Sequence, residues 1–133
     1  MRKQYHLRAS AAGLLAWDID QLIALTKNLT PVQIPLAHLA ELDENYWYST
    51  ADTLPTCRSI AQHMRLVQAA DLAFPIILCP EGRLLDGMHR AVKALLEERA
   101  FIAAYRLPYL PEPDILSALR LKICPTQKTN KPA

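Results

Sequence analysis

Glycine is nearly absent from this chain: its 133 residues include three, against ten prolines. A chain so poor in the residue that takes positive φ freely must bend at prolines. It keeps each glycine for a place where the backbone or a close approach demands one. Gly82 and Gly87 lie five residues apart in PEGRLLDGMHR, while Gly13 stands alone near the start. The segment from Pro80 to Arg90 is therefore the most tightly constrained part of the chain.

Around it the pattern is regular. FPIILCP predicts a buried strand between prolines, PEGR a turn with Gly82 at positive φ, and RLLD the paired strand. Gly87 to Arg99 predicts a helix with Ala91, Val92, Leu95 and Leu96 on its apolar face, and FIAAYRL a further strand. In place of a glycine after that helix stands Glu98, which predicts a differently shaped exit. Upstream, Leu14 to Leu29 predicts a helix capped by Asp18 and ended by Pro31. VQIPL reads as an edge strand because of Pro35. LAHLAELDEN reads as one or two helical turns and YWYSTADTLP as a loop. Thr56, after Pro55, starts a helix in which Ile60, Met64 and Val67 share a face. PEPDILSALRL predicts a last short helix and residues 124–133 a loose polar tail. Helices and strands mix without a regular βαβ repeat, which predicts an α+β fold in one domain over residues 1–123.

Composition excludes several classes. Apolar residues at 51% and charged residues at 21% fit a packed core rather than disorder. A formal charge of +2 gives no electrostatic case for nucleic-acid binding. No stretch approaches the roughly 20 apolar residues of a membrane span. AAGLLAW is followed at once by Asp18 and Asp20, unlike a signal peptide. Cys57, Cys79 and Cys124 are scattered, without CxxC or zinc-finger spacing, and read as reduced thiols of a cytoplasmic protein.

The chemistry concentrates in LLDGMHRAVKALL. Asp86 is expected at the N-cap and Gly87 at the first helical position, where a missing Cβ lets an anion reach the free N–H groups of the first turn. His89, Arg90 and Lys93 share one side of that helix start. Cations there oppose the helix dipole, and a bound phosphate would relieve the conflict, with Arg90 bidentate and Lys93 as a point charge. A plain solvated helix start capped by Asp86 fits the same residues. Neither GxxxxGK[ST] nor GxGxxG occurs.

Charge is uneven along the chain. No Lys or Arg falls between Lys27 and Arg58, yet Glu41, Asp43, Glu44 and Asp52 do. An acidic early segment and a basic middle can form two walls of one cleft, or two solvated surfaces. Glu41 and Glu44 are candidates to take a proton from an acceptor hydroxyl, and Asp86 to hold Mg²⁺. Thr56 and Arg58, at a second helix start, are candidates for the phosphate, or simply a cap and a surface cation. Trp47 can stack on a base or fill a core, and His63 reads as structural.

The run PIILCPEGRLLDGMHRAVKALLEERAFIAAYRL resembles the core of the ParB/sulfiredoxin superfamily. The resemblance covers about a quarter of the chain closely. It implies a small α+β fold that binds nucleotide phosphates at a Gly-x-His-Arg helix start, here Gly87, Met88, His89 and Arg90. Sulfiredoxins use that place for ATP, ParB proteins for CTP, and the superfamily's archaeal free-serine kinases carry the nearest motif, Asp-Gly-His-His-Arg. ATP or another nucleotide with Mg²⁺, and a small hydroxyl substrate, are thus the implied ligands, and phosphoryl transfer or nucleotide hydrolysis the implied reaction. The alternative is a non-enzymatic, nucleotide-responsive module that meets a protein or DNA partner. Met88 stands where sulfiredoxins have their cysteine, so sulfinic-acid repair is not expected. Nor is sequence-specific DNA binding, since no room is left for ParB's helix-turn-helix; a homo-oligomer stays open.

Overall fold

The computed structural model describes residues 4–10 and 13–116. Among the described residues, three α-helices and two sheets make an α+β fold. One sheet holds β1 (Tyr5–Ser10), β2 (Gly13–Asp18) and β7 (Ile115–Leu116), antiparallel in the order β1-β2-β7. The other holds β3 (Val32–Pro35), β4 (Ile76–Leu78), β5 (Leu84–Asp86) and β6 (Phe101–Arg106) in the order β3-β6-β4-β5. The helices are α1 (Ile19–Leu25), α2 (Cys57–Ala69) and α3 (Met88–Leu96). Two 3-10 turns, Leu36–His38 and Ala40–Asp43, follow β3.

The central sheet carries a core cluster on each face of β4 and β5, divided by the strands' period of two. Ile76, Leu78 and Leu84 pack with Met88, Ala91 and Ala94 of α3 on one side. Ile77, Cys79 and Leu85 pack with Trp17, Ile19 and Leu22 of β2 and α1 on the other. The β4–β5 hairpin closes as expected: Gly82 N–H donates to Cys79 O at 2.9 Å, Cys79 N–H donates to Arg83 O at 2.8 Å, and Gly82 takes φ +86°. That is a tight turn followed by a left-handed residue. β4 and β6 run parallel, joined through β5 and α3, so the start of α3 lies at the end of β5.

Three sequence expectations are corrected. The helix expected from Leu14 begins at Ile19, because Leu14 to Asp18 is strand. β2 pairs with β1 on one edge and β7 on the other, with Ala16 and Trp17 fully buried. Asp18 is the N-cap, accepting from Asp20 N–H at 2.9 Å. The last helix is replaced at Ile115–Leu116 by β7, anchored where Asp114 N–H donates to Ala16 O (2.8 Å) and Asp18 N–H donates to Asp114 Oδ2 (2.7 Å). The remainder of that segment, the tail and Cys124 lie outside the described residues. Finally, α3 exits as it would with a glycine: Glu98 takes φ +57°, Arg99 N–H donates to Ala94 O and Glu98 N–H to Leu95 O, a full Schellman motif. Among the described residues no helix is long and apolar enough to cross a membrane.

Candidate ligand site at the start of helix α3

Gly87 is the N-cap of α3, so the helix starts one residue later than expected, and its φ is +115°. A Cβ there would lie 2.5 Å from Ile76 Cγ2, so chain packing by itself requires the glycine. Asp86 is the last residue of β5 and does not cap; its Oδ2 accepts from Arg90 Nη2 at 2.8 Å. Consequently α3 has no side-chain cap, whereas α1 has Asp18 and α2 has Thr56, which accepts from Ser59 N–H at 3.1 Å. The first intrahelical bond of α3 runs from Ala91 N–H to Gly87 O, leaving the N–H groups of Met88, His89 and Arg90 without a partner inside the helix.

The expected patch of three cations does not form. Lys93 Nζ donates to Gln68 O (3.1 Å) and Ala70 O (2.6 Å), at the negative end of α2. Arg90 Nη1 donates to Phe74 O (3.0 Å) and Pro75 O (2.7 Å). Both cations tie α3 to the α2–β4 connection. Carbonyls and Asp86 therefore relieve the conflict with the dipole. Met88 is a core residue.

His89 instead turns to α2 and meets His63, a residue expected only to be structural. His63 Nδ1 and His89 Nε2 are 2.9 Å apart. The ring centroids are 5.2 Å apart and the planes are tilted by 27°, so the rings meet edge to edge through these two nitrogens. Trp47 lies over both, 4.0 Å from the His63 centroid at 8° and 5.1 Å from that of His89 at 23°. Tyr48 closes the edge of His63, and its hydroxyl is 3.0 Å from Ser59 Oγ. Burial lowers the pKa of His63. Burial, then the positive charge that a protonated His63 carries and that of Arg90, lowers that of His89 to about 4. Both rings are neutral at pH 7 and share one N–H···N bond. The one signal available was that His63 shares a helix side with Ser59 and Val67, facing the protein.

The carboxylates sit elsewhere. Glu41 is 3% exposed; its Oε2 accepts from Leu84 N–H at 2.6 Å and pairs with Arg83 Nε at 3.2 Å. Glu44 takes two bonds from the Arg83 guanidinium, at 2.7 and 2.9 Å, which hold its carboxyl below the usual range. The acidic segment and the basic middle thus meet directly as an ion-paired cluster beside the β4–β5 turn. Tyr46, raised in pKa by burial and then by Glu41 and Asp86, lies against the same cluster. Thr56 is spent on its cap. Arg58 lies five residues before His63, about 140° round α2 at roughly 100° per residue. It lines an open hollow with Cys57, Ala61, Gln62 and Arg65, and is not brought to α3. Among the described residues, no three His, Cys, Asp or Glu side chains converge on a point that could hold a metal.

No family model, curated protein or solved structure matches the chain.

Proposed function

We propose that the protein binds a phosphate-bearing ligand at the first turn of α3, a nucleotide being the class that the ParB/sulfiredoxin resemblance implies. The observation that carries this reading is the uncapped helix start beside His89, with three N–H groups free of helix partners and Asp86 turned away to Arg90. Free N–H groups and the positive end of the dipole favour an anion. The strand–turn–strand–helix–strand order from Ile76 to Arg106 supports the same reading. Mg²⁺ would arrive with the nucleotide, since Asp86 is engaged by Arg90.

The ion pairing of Glu41 and Glu44 with Arg83 favours a nucleotide-responsive binding module, in the cytoplasm, over a kinase that uses either as base. Turnover, where it occurs, would fall to the histidine pair. Thermal melting with ATP, ADP, CTP and sulfate, each with and without Mg²⁺, tests the site. Ligand at 100 times its Kd stabilises by about 2.7 kcal/mol, several degrees for a chain of this length. A flat response to every nucleotide and to sulfate rejects the site.

A further inference from the structure

The histidine pair has a property that neither ring has alone. One hydrogen lies between His63 Nδ1 and His89 Nε2, so each ring's tautomer fixes the other's. If His63 Nδ1 donates, His63 Nε2 is bare and His89 Nδ1 carries a hydrogen. If His89 Nε2 donates, the outer roles reverse. Among the described residues nothing hydrogen-bonds either outer nitrogen. Nδ1 is the ring nitrogen nearer the backbone, so the outer nitrogen of His89 lies on the side of α3's first turn, and that of His63 lies at the tip of its ring. Both rings are part-exposed. The two nitrogens face one another across 2.9 Å, too close for an ion set in line between them with bonds of about 2.0–2.1 Å.

We propose that His63 and His89 form a proton relay in which an anion bound at the first turn of α3 makes His63 Nε2 a base toward a hydroxyl-bearing molecule, water or an alcohol. The anion accepts from His89 Nδ1–H, so His89 Nε2 must accept and His63 Nδ1 must donate. His63 Nε2 is then bare. When it takes a proton from the hydroxyl, the shared hydrogen moves to His89 Nε2 and the Nδ1 hydrogen passes to the anion or to water. One proton enters, one leaves, and the pair stays neutral. Trp47 stacks on both rings and limits their rotation away from the 2.9 Å contact along which the proton moves. Arg90 on α3 and Tyr48 from the loop are the charged or titratable groups beside the pair. The coupling to an anion rests on the ligand site proposed above; the shared hydrogen does not.

Long-range ¹H–¹⁵N spectra of the histidine-labelled full chain at pH 7 test the relay. Free protein should show all four ring nitrogens between the bare and protonated extremes, as two exchanging tautomers require. Saturating ADP should drive His89 Nδ1 to the protonated extreme and His63 Nε2 to the bare one. In His63→Asn, which leaves a donor and acceptor near the old Nδ1, ADP should still drive His89 Nδ1 to the protonated extreme, since that contact is made by His89 itself. A single fixed tautomer in free protein overturns the relay, as does a tautomer unmoved by ADP that raises the melting temperature. ADP that neither binds nor stabilises overturns the ligand site, and the free-protein spectra then decide the relay alone.

Discussion

Replacing Glu41 separates an anchoring carboxylate from a catalytic one. Its Oε2 holds the Leu84 N–H at 2.6 Å and Arg83 Nε at 3.2 Å in a 97%-buried setting, while Oε1 is buried with no partner among the described residues. A charge-assisted hydrogen bond contributes about 1.5–3 kcal/mol, and stranding the Leu84 N–H costs about 1–3 kcal/mol. The two overlap, and desolvating Oε1 offsets part, so Glu41→Ala should lose about 3 kcal/mol. At about 2.1 cal/mol/K per residue, unfolding entropy is about 0.28 kcal/mol/K, and the melting temperature should fall by about 10 °C. Glu41→Gln keeps an oxygen for Leu84 and should lose about 1 kcal/mol, or roughly 4 °C. Calorimetry on both variants checks the pair of values. If both melt within 2 °C of wild type, a range of about 0.5 kcal/mol, the anchoring account of Glu41 fails.

Gly87→Ala puts a Cβ 2.5 Å from Ile76 Cγ2 at φ +115°, and should cost about 2–4 kcal/mol, read as a lower urea midpoint; an unchanged midpoint would contradict the packing described for β4 and α3. Glu98→Gly relieves a left-handed residue in a Schellman turn and should stabilise by about 1 kcal/mol; destabilisation would count against that exit. Acid should weaken the fold through its histidines. His6 is held down to about 3 by burial first and then by Arg8 and Arg83, so unfolded chain binds its proton near pH 6.5 and folded chain only near pH 3. Stability present above pH 6.5 is therefore lost as pH falls, by up to about 1.4 kcal/mol per unit for this group. His89, lowered to about 4, adds in the same sense. Urea midpoints at pH 7, 6 and 5 should decline, more gently in His6→Gln; a flat profile would contradict the burial of His6.

Legibility followed the range of the interactions. The β4–β5 turn, the extent of α3 and the Thr56 cap were readable because proline, glycine and capping residues act within four positions, but the expected apolar face of α3 was not, since Leu95 and Leu96 are exposed while Met88, Ala91 and Ala94 are buried. The β1–β2 hairpin was not. Its alternation is disguised, since His6 is a buried polar residue and Ala16 and Trp17 are buried on opposite faces of β2. β7 depends on Asp114, Pro111, Ala16 and Trp17, more than ninety positions apart, as when Trp17 Nε1–H donates to Pro111 O at 2.8 Å. At the site, Gly87, His89 and Arg90 were found by motif, but their partners were not. Arg90 and Lys93 looked like free cations because nothing local reveals the carbonyls of Gln68, Ala70, Phe74 and Pro75 that they hold. His63 looked structural because its partner lies 26 residues away on another helix.

The central claim is that an anion sits on the backbone at the start of α3, beside the histidine pair. Amide ¹H–¹⁵N shifts of the full chain, followed while ATP with Mg²⁺ is added, test it most directly. The account predicts that Met88, His89 and Arg90 amides move first and furthest, with the Trp47 indole signal responding through the stacked rings. A titration that leaves those three amides in place, or that moves only the Arg58–Arg65 face of α2, would contradict it.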